Sequence, residues 1–478
     1  MKRFGIVGAG ISGLTAAWYL RRLVPDAKIE IFEAEPRLGG VIQTQESPYL
    51  IETGADNFAT LIPDALKLVR DMGLEPEFIS PQRDFRIAQV VHRGRLVPIP
   101  NGFSLMQPTR LRSILSTPIL SWRGKLRVLA EYLIPARRSQ EDESVASFAT
   151  RRLGRECYER LVEPIVGGIF TARGETLSMQ AAMPQFVAME QTYGGLIRAA
   201  RAKRKEATAE NRAAREASGA RYDQFMAPRR GMTWWLEQIA APMRTSLHLH
   251  TRVRSMRRVP DGAWELIAVD AETGLERTCR MDQICVAVPS YIAAELLGEV
   301  SPEMRRVLTS IPYASSAIAV LAVNKREIRS DAFCFGSIAP SIENRDCLAI
   351  SLTSEKYAGR CPPDVVLARV FMGGAVRPDL YEQSDEDLIA RAKRELAGLF
   401  GPASSPLYER IVRWPRSMPQ YLVGHAERVR KIRDLASHLT GLELIGNAYD
   451  GVGIPQCVRG AKIAAQRMAD RCFADMPN

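Results

Sequence analysis

The chain opens on an apolar run, Arg3 to Val7, of the kind that makes a short buried strand. The segment Gly8-Ala9-Gly10-Ile11-Ser12-Gly13 follows, and apolar residues then recur at Leu14, Ala17, Trp18 and Leu20. That spacing predicts a helix over Leu14 to Leu23, broken by Pro25-Asp26. Lys28 to Phe32 reads as a second strand, closed by Glu33. The result is a βαβ unit with GxGxxG at its strand-to-helix turn.

Further on the pattern changes character twice. Residues 110 to 225 read as mostly helical with short breaks, and strand patterns return at Leu247 to Val253, Trp264 to Val269 and Gln283 to Val288. A mixed segment runs to about 424. The last stretch gives a strand, Leu442 to Gly446, a glycine-rich turn and a helix from about Pro455. There is no internal repeat, and the one biased tract is rich in Ala and Arg, over 198 to 217.

With 478 residues the chain has room for two or three folding units, and 46% apolar with 25% charged residues is ordinary globular usage. The net charge is 65 − 54 = +11. Ten Lys/Arg against four Asp/Glu between Arg198 and Arg230 supply +6 of it. The surplus favours an anionic partner, either a carboxylate-bearing small molecule or an anionic lipid surface. Nucleic acid fits poorly, because no basic motif is interleaved with aromatics. Eight scattered Cys without a CxxC pair, and only five His, suggest a reducing compartment and no metal site. No apolar run reaches the roughly 20 residues that span a bilayer, and the N-terminus enters a strand directly. A cytoplasmic location is expected, with peripheral contact on the inner face of a membrane as an open alternative.

The glycines have distinct jobs. Gly8 allows the tight turn, Gly10 lets backbone approach a diphosphate, and Gly13 lets helix and strand pack closely. Glu33 lies 20 residues past Gly13, where a ribose hydroxyl needs an acceptor, and it favours an unphosphorylated ribose. Arg37 with Gly39-Gly40, and the small-residue turn Glu52-Thr53-Gly54-Ala55-Asp56-Asn57-Phe58, suit the longer reach of FAD over NAD. Gly446 to Pro455 supplies a second glycine-rich loop opening a helix, and that helix end would stabilise negative charge on a reduced flavin.

These stretches resemble the flavin amine oxidase superfamily. Within it, Glu163 to Phe170 (EPIVGGIF), Leu177-Ser178 with Pro184-Gln185-Phe186, Arg413 to Tyr421 (RWPRSMPQY) with Gly424-His425, and Gly451 to Pro455 (GVGIP) with Cys457 resemble the oxygen-dependent protoporphyrinogen/coproporphyrinogen III oxidases. The likeness spans essentially the whole chain. It implies an α/β fold of mixed type: a Rossmann-like FAD-binding domain of the glutathione-reductase/amine-oxidase type (1–85, 232–290, 425–478), a mixed-sheet substrate domain (86–109, 291–424), and a helical insertion (110–231). It implies non-covalent FAD held by Gly8, Ala9, Gly10, Ile11, Ser12, Gly13, Glu33, Ala34, Arg37, Gly40, Val41, Gly54, Ala55, Asp56, Asn57, Val253, Trp414, Gly446, Val452, Gly453 and Ile454. The substrate cavity would involve Gly168, Phe335, Ile338 and Phe371. Relatives often place an Arg or Lys where this chain has Ala88; Arg86, two residues earlier, is one candidate for a propionate, and which cation binds it is left open.

The implied reaction turns a porphyrinogen into the porphyrin, with O₂ as acceptor and H₂O₂ as by-product, in haem biosynthesis. No catalytic side chain is expected, since the flavin carries the chemistry. His92, His248, His250, His425 and His438 read as structural or exposed, Cys457 as a buried free thiol, and Tyr449 as packing. Amine or polyene oxidation on the same scaffold, a non-catalytic escort protein, and a peripheral membrane scaffold are the rivals. Monomer and homodimer are both open.

Overall fold

The computed structural model describes residues 1–82, 88–206, 225–402 and 404–474, which fall into two compact units. The first comprises residues 1–79, 225–312 and 425–478, the second 80–224 and 313–424.

At the centre of the first unit is a parallel five-stranded sheet. Its strands are β1 (Arg3–Val7), β2 (Lys28–Phe32), β3 (Leu247–His248), β7 (Gln283–Val286) and β8 (Leu442–Leu444), in the order β3-β2-β1-β7-β8. The chain moves from β1 to one side and returns on the other, so β1 ends at the topological switch point. There α1 (Ile11–Leu23) begins, three residues earlier than the apolar spacing predicts, because Ile11 to Gly13 already have helical backbone. The C-terminal α3 (Ile454–Ala474) packs on α1, and its buried Val458, Ala461, Ala464, Ala465 and Ala469 are mostly small side chains that permit close approach. The other face of the sheet carries a meander, β4 (Thr251–Arg258), β5 (Trp264–Asp270) and β6 (Glu276–Met281). A Cβ on Gly5 would meet Met281 at 3.0 Å and Leu266 at 3.3 Å. The single strand expected over Leu247 to Val253 is in fact two, because His250 takes a left-handed φ of 50° and turns the chain from one sheet into the other.

The second unit is built on a seven-stranded sheet. In order its strands are Tyr408–Pro419, Tyr313–Asn324, Val365–Gly373, Ala349–Leu352, Gly336–Ile338, Ala88–His92 and Arg95–Pro98. Ala317, Ala319, Leu321, Val366, Ala368 and Val370 point to one face and pack with Leu388, Ala392, Leu396 and Leu399 of helix Asp385–Phe400. The helices between Leu111 and Glu206 belong to the same unit. Among the described residues no helix is long and apolar enough to cross a membrane.

Candidate functional site

In the first unit the sequence-predicted residues converge on the C-terminal end of β1. Gly8 takes φ 103°, and a Cβ there would lie 2.8 Å from Ala287 O. Gly13 is demanded by packing alone, since its Cβ would fall 1.9 Å from Gly8 O. Gly10 differs from both. Its φ of −74° suits any residue, and a Cβ would find nothing within 4 Å. It caps α1 without a side-chain hydrogen bond, so the amides of the first turn face open space. That is the arrangement of an anion site at a helix N-terminus.

Glu33 closes the site from β2. It is 8% exposed, accepting from Ala9 N at 2.7 Å and Glu35 N at 3.0 Å. A carboxylate offers about four lone-pair directions, so capacity is left for hydroxyl donors. Its own backbone is tied to the strand beyond, Glu33 N to His248 O at 2.9 Å and Thr251 N to Glu33 O at 2.7 Å. This brings Val253, on β4 and buried, to the same sheet end; Ala34 follows Glu33 directly. The loop after β2 lies against the glycine turn through Gly39 N to Ala9 O at 2.8 Å. Arg37 binds that loop's own carbonyls, Gly40 O at 2.8 Å and Leu38 O at 3.2 Å, so its guanidinium shapes the loop. Gly40 stands beside Gly10, its Cβ position 3.8 Å from Gly10 Cα.

Val41 and Gly54 meet backbone to backbone. A Cβ on Gly54 would sit 2.0 Å from Val41 O. Ala55 is exposed and Asp56 and Asn57 are half-buried, joined by an Asn57 Nδ2 to Asp56 Oδ1 hydrogen bond. Sequence reasoning missed what anchors this turn. Glu52 is fully buried and accepts from Met232 N at 2.9 Å and Thr44 Oγ1 at 2.8 Å, so it caps α2 (Met232–Ala240). The available signal was Gly231, a helix start with no side chain able to cap it.

The C-terminal loop brings a second helix start to α1. Gly446 takes φ 134° with open space where its Cβ would be, and Val452 and Gly453 lead into Ile454 at the start of α3. Ser12, in the first turn of α1, hydrogen-bonds the Cys457 thiol in the first turn of α3. Burial pushes that thiol up to about 11, so it is neutral at physiological pH and a poor nucleophile. Seven cysteines are buried and Cys361 is half-buried. Native protein at pH 8 should therefore show at most one thiol within reach of a disulfide reagent, Cys361, itself slowed because burial raises its pKa, and eight after unfolding. Flavin should remain in the supernatant after acid precipitation, and flavin in the pellet would contradict the neutral, unlinked Cys457.

In the second unit Ile338, Ala349 and Phe371 lie opposite one another on successive strands, on the sheet face away from helix Asp385–Phe400. Phe371 also faces Ile318, and Trp414 shares this face one row along, opposite Ser316. Gly168, on helix Glu163–Phe170, lies over Ile338: its Cβ would be 3.7 Å from Ile338 Cγ2. Phe335 is buried just before this strand. Arg86 lies outside the described residues. His248 stacks on Phe32 at 5.4 Å and His425 is buried. His92 lies 3.0 Å from Arg160, and burial lowers its pKa.

Comparisons with known proteins agree with one another along the chain. The model of flavin containing amine oxidoreductases matches residues 11–469. A coproporphyrinogen III oxidase of Bacillus subtilis is 28% identical over 97% of this chain and 97% of its own length. A chloroplastic protoporphyrinogen oxidase of Nicotiana tabacum is 28% identical over 95% of this chain and 83% of its own. A solved structure of a candidate protoporphyrinogen oxidase from Exiguobacterium superposes with a TM-score of 0.82 at 27% identity, covering 98% of this chain and 99% of its own.

Proposed function

The chain belongs to the family of flavin containing amine oxidoreductases, and we propose that within it the protein oxidises a porphyrinogen to the porphyrin in haem biosynthesis. The observation that carries this reading is the end-to-end likeness to coproporphyrinogen III and protoporphyrinogen oxidases, which takes in both compact units. The cofactor is FAD. The open space beside Gly10 and Gly446, and the unfilled acceptor capacity of Glu33, fit it.

When bound, FAD supplies a hydride acceptor that O₂ returns to the oxidised state with release of H₂O₂. The rest falls to the chain. Amides of Gly10 to Gly13 at the start of α1 would hold the diphosphate, with Glu33 on the ribose and Val253 beside the adenine. Val41 with Gly54 to Asn57, and Val452 to Ile454 at the start of α3, would hold the flavin end, where the positive end of that helix favours added negative charge. Trp414 would contact the cofactor as well, as the family resemblance implies. Arg37 would act through the loop it holds. Gly168, Ile338, Phe335 and Phe371 would offer an apolar wall to the macrocycle, and Arg86 a cation to a propionate. With orientation from these residues, six hydrogens leave the substrate in three two-electron steps, each matched by one O₂ reduced to H₂O₂.

Porphyrin fluorescence, followed in air with coproporphyrinogen III and protoporphyrinogen IX offered separately, tests this. Growth above the autoxidation blank with matching H₂O₂ supports the reading and ranks the two substrates. A flavin-loaded protein that produces neither overturns it in favour of an amine or polyene substrate.

The helical segment adds a peripheral lipid contact to the proposal. Trp122 and Leu126, one turn apart on helix Trp122–Leu129, are 69% and 62% exposed, and Leu133 is 76% exposed. Exposed cations flank this edge: Arg123 stands on the same helix, and Arg198 and Arg201 lie 5.1 and 4.8 Å from the Tyr132 ring. An apolar edge flanked by exposed Arg suits anionic headgroups. In flotation the protein should rise with phosphatidylglycerol vesicles at low salt and stay down with phosphatidylcholine alone. No flotation with either removes this part of the proposal.

A further inference from the structure

Helix Glu163–Phe170, which carries Gly168, continues directly from the helical turns over 155–162 and is tied to neighbouring chain at both Glu163 and Thr171. At its C-terminal end Thr171 turns left-handed (φ 47°), and its carbonyl accepts from Ala375 N at 2.8 Å. A Cβ on Gly374 would lie 2.8 Å from Thr171 Cβ, so the chain just beyond Phe371 presses on this helix end. At the other end Glu163 takes both donors of one serine: Ser341 Oγ donates to Oε1 at 2.6 Å and Ser341 N to Oε2 at 3.2 Å.

Ser341 stands three residues beyond Ile338 and opens the single turn Ser341–Glu343. The turn cannot drift away from Glu163, because its far end is fixed as well. Glu343 accepts from Arg93 N at 2.8 Å and from Gly94 N at 3.1 Å. Between the two anchored ends of the helix, Gly168 faces Ile338 across ordinary van der Waals distance. The gap between these two residues is therefore governed by a contact five residues before one and three residues after the other.

We propose that Glu163 is a positioning residue for the porphyrinogen: by clamping Ser341 it sets the spacing of Gly168 and Ile338 against which the macrocycle rests. This rests on the function proposed above. The chemistry is specific to a carboxylate. Both its oxygens accept, matching two donors at once, whereas an amide must present its NH₂ group to one of them. The clamp touches neither cofactor nor reacting carbon, so its loss should change binding more than turnover.

The test uses the full-length, FAD-loaded protein and compares E163Q, S341A, S341T and the double variant E163Q/S341A, with porphyrin fluorescence and the flavin spectrum read together. E163Q should raise KM about five- to twentyfold, the effect of roughly one lost hydrogen bond, with kcat within about twofold and the flavin spectrum unchanged. S341A should raise KM, S341T should stay near the wild type because it keeps the hydroxyl, and the double variant should be no worse than E163Q. A KM for E163Q within about twofold of wild type overturns the clamp, and so do effects that multiply in the double variant. If E163Q fails to hold FAD, the serine pair decides, and equal KM values for S341A and S341T overturn the proposal. Wild-type protein that turns over no porphyrinogen overturns the function itself, a different result from an active wild type with an indifferent E163Q.

Discussion

Gly10→Val is expected to yield a folded, colourless protein. Gly10 lies in extended backbone that accepts a β-branched side chain, and nothing in the protein stands within 4 Å of its Cβ position. Replacing a glycine there removes freedom from the unfolded chain, which offsets the poorer N-cap that Val makes for α1, and stability without FAD should stay within about 1 kcal/mol of wild type. The new isopropyl group occupies the space proposed for the diphosphate, so FAD affinity should fall by about a hundredfold or more, roughly 2.7 kcal/mol. The two effects separate in one experiment. Wild-type protein gains melting temperature as FAD is added, since a ligand at about 100 times its Kd contributes ~2.7 kcal/mol, and Gly10→Val should not respond. Gly13→Ala is the contrast. Its Cβ would lie 1.9 Å from Gly8 O, so the first turn of α1 must lift from the strand and stability falls with or without FAD. A yellow Gly10→Val protein with normal affinity would move the diphosphate away from this turn.

That contrast shows what the sequence could and could not reveal. GxGxxG already gave the three glycines separate jobs, and the coordinates add the measure of each: Gly8 and Gly13 answer to backbone crowding and Gly10 to empty space. Elements whose periodicity is local were legible: β1, α1, β2, β5 and α3 stand close to where apolar spacing puts them. The break at His250 was not, because the alternation of Leu247 to Val253 continues through a turn set by pairing with two different sheets. The expectation that Arg37 helps hold FAD rests on its company in sequence; what the structure adds is that its guanidinium reaches carbonyls of its own loop, a choice made by loop conformation. Least legible were buried carboxylates that serve distant backbone. Glu52 caps a helix start at Met232, and Glu163 holds Ser341; in sequence each is one acidic residue among 54.

Glu131 and Arg152 belong to the same class, and they carry the largest stability prediction. Both are fully buried in the helical part of the second unit and form an ion pair. Arg152 also donates to the carbonyls of Ile134 at 3.0 Å and Pro135 at 3.2 Å, and Glu190 approaches it at 3.3 Å. Glu131 accepts in addition from Leu196 N at 2.7 Å and Ile197 N at 3.0 Å, which caps helix Leu196–Glu206. Removing Arg152 strands a carboxylate in a dry interior, and breaking such a pair costs about 3–5 kcal/mol. Arg152→Leu should therefore lower the melting temperature by roughly 6–20 °C. Glu131→Leu should cost at least as much. It leaves the amides of residues 196 and 197 without their acceptor, while Arg152 keeps four carbonyls and Glu190. The double variant removes the stranded charge but not the stranded amides, so its loss should be smaller than the sum of the two and larger than that of Arg152→Leu alone. Thermal unfolding followed with FAD saturating isolates this effect from cofactor loss. Simple additivity would mean that the pair contributes nothing, and that Glu131 acts only as the cap of the helix bearing Arg198 and Arg201.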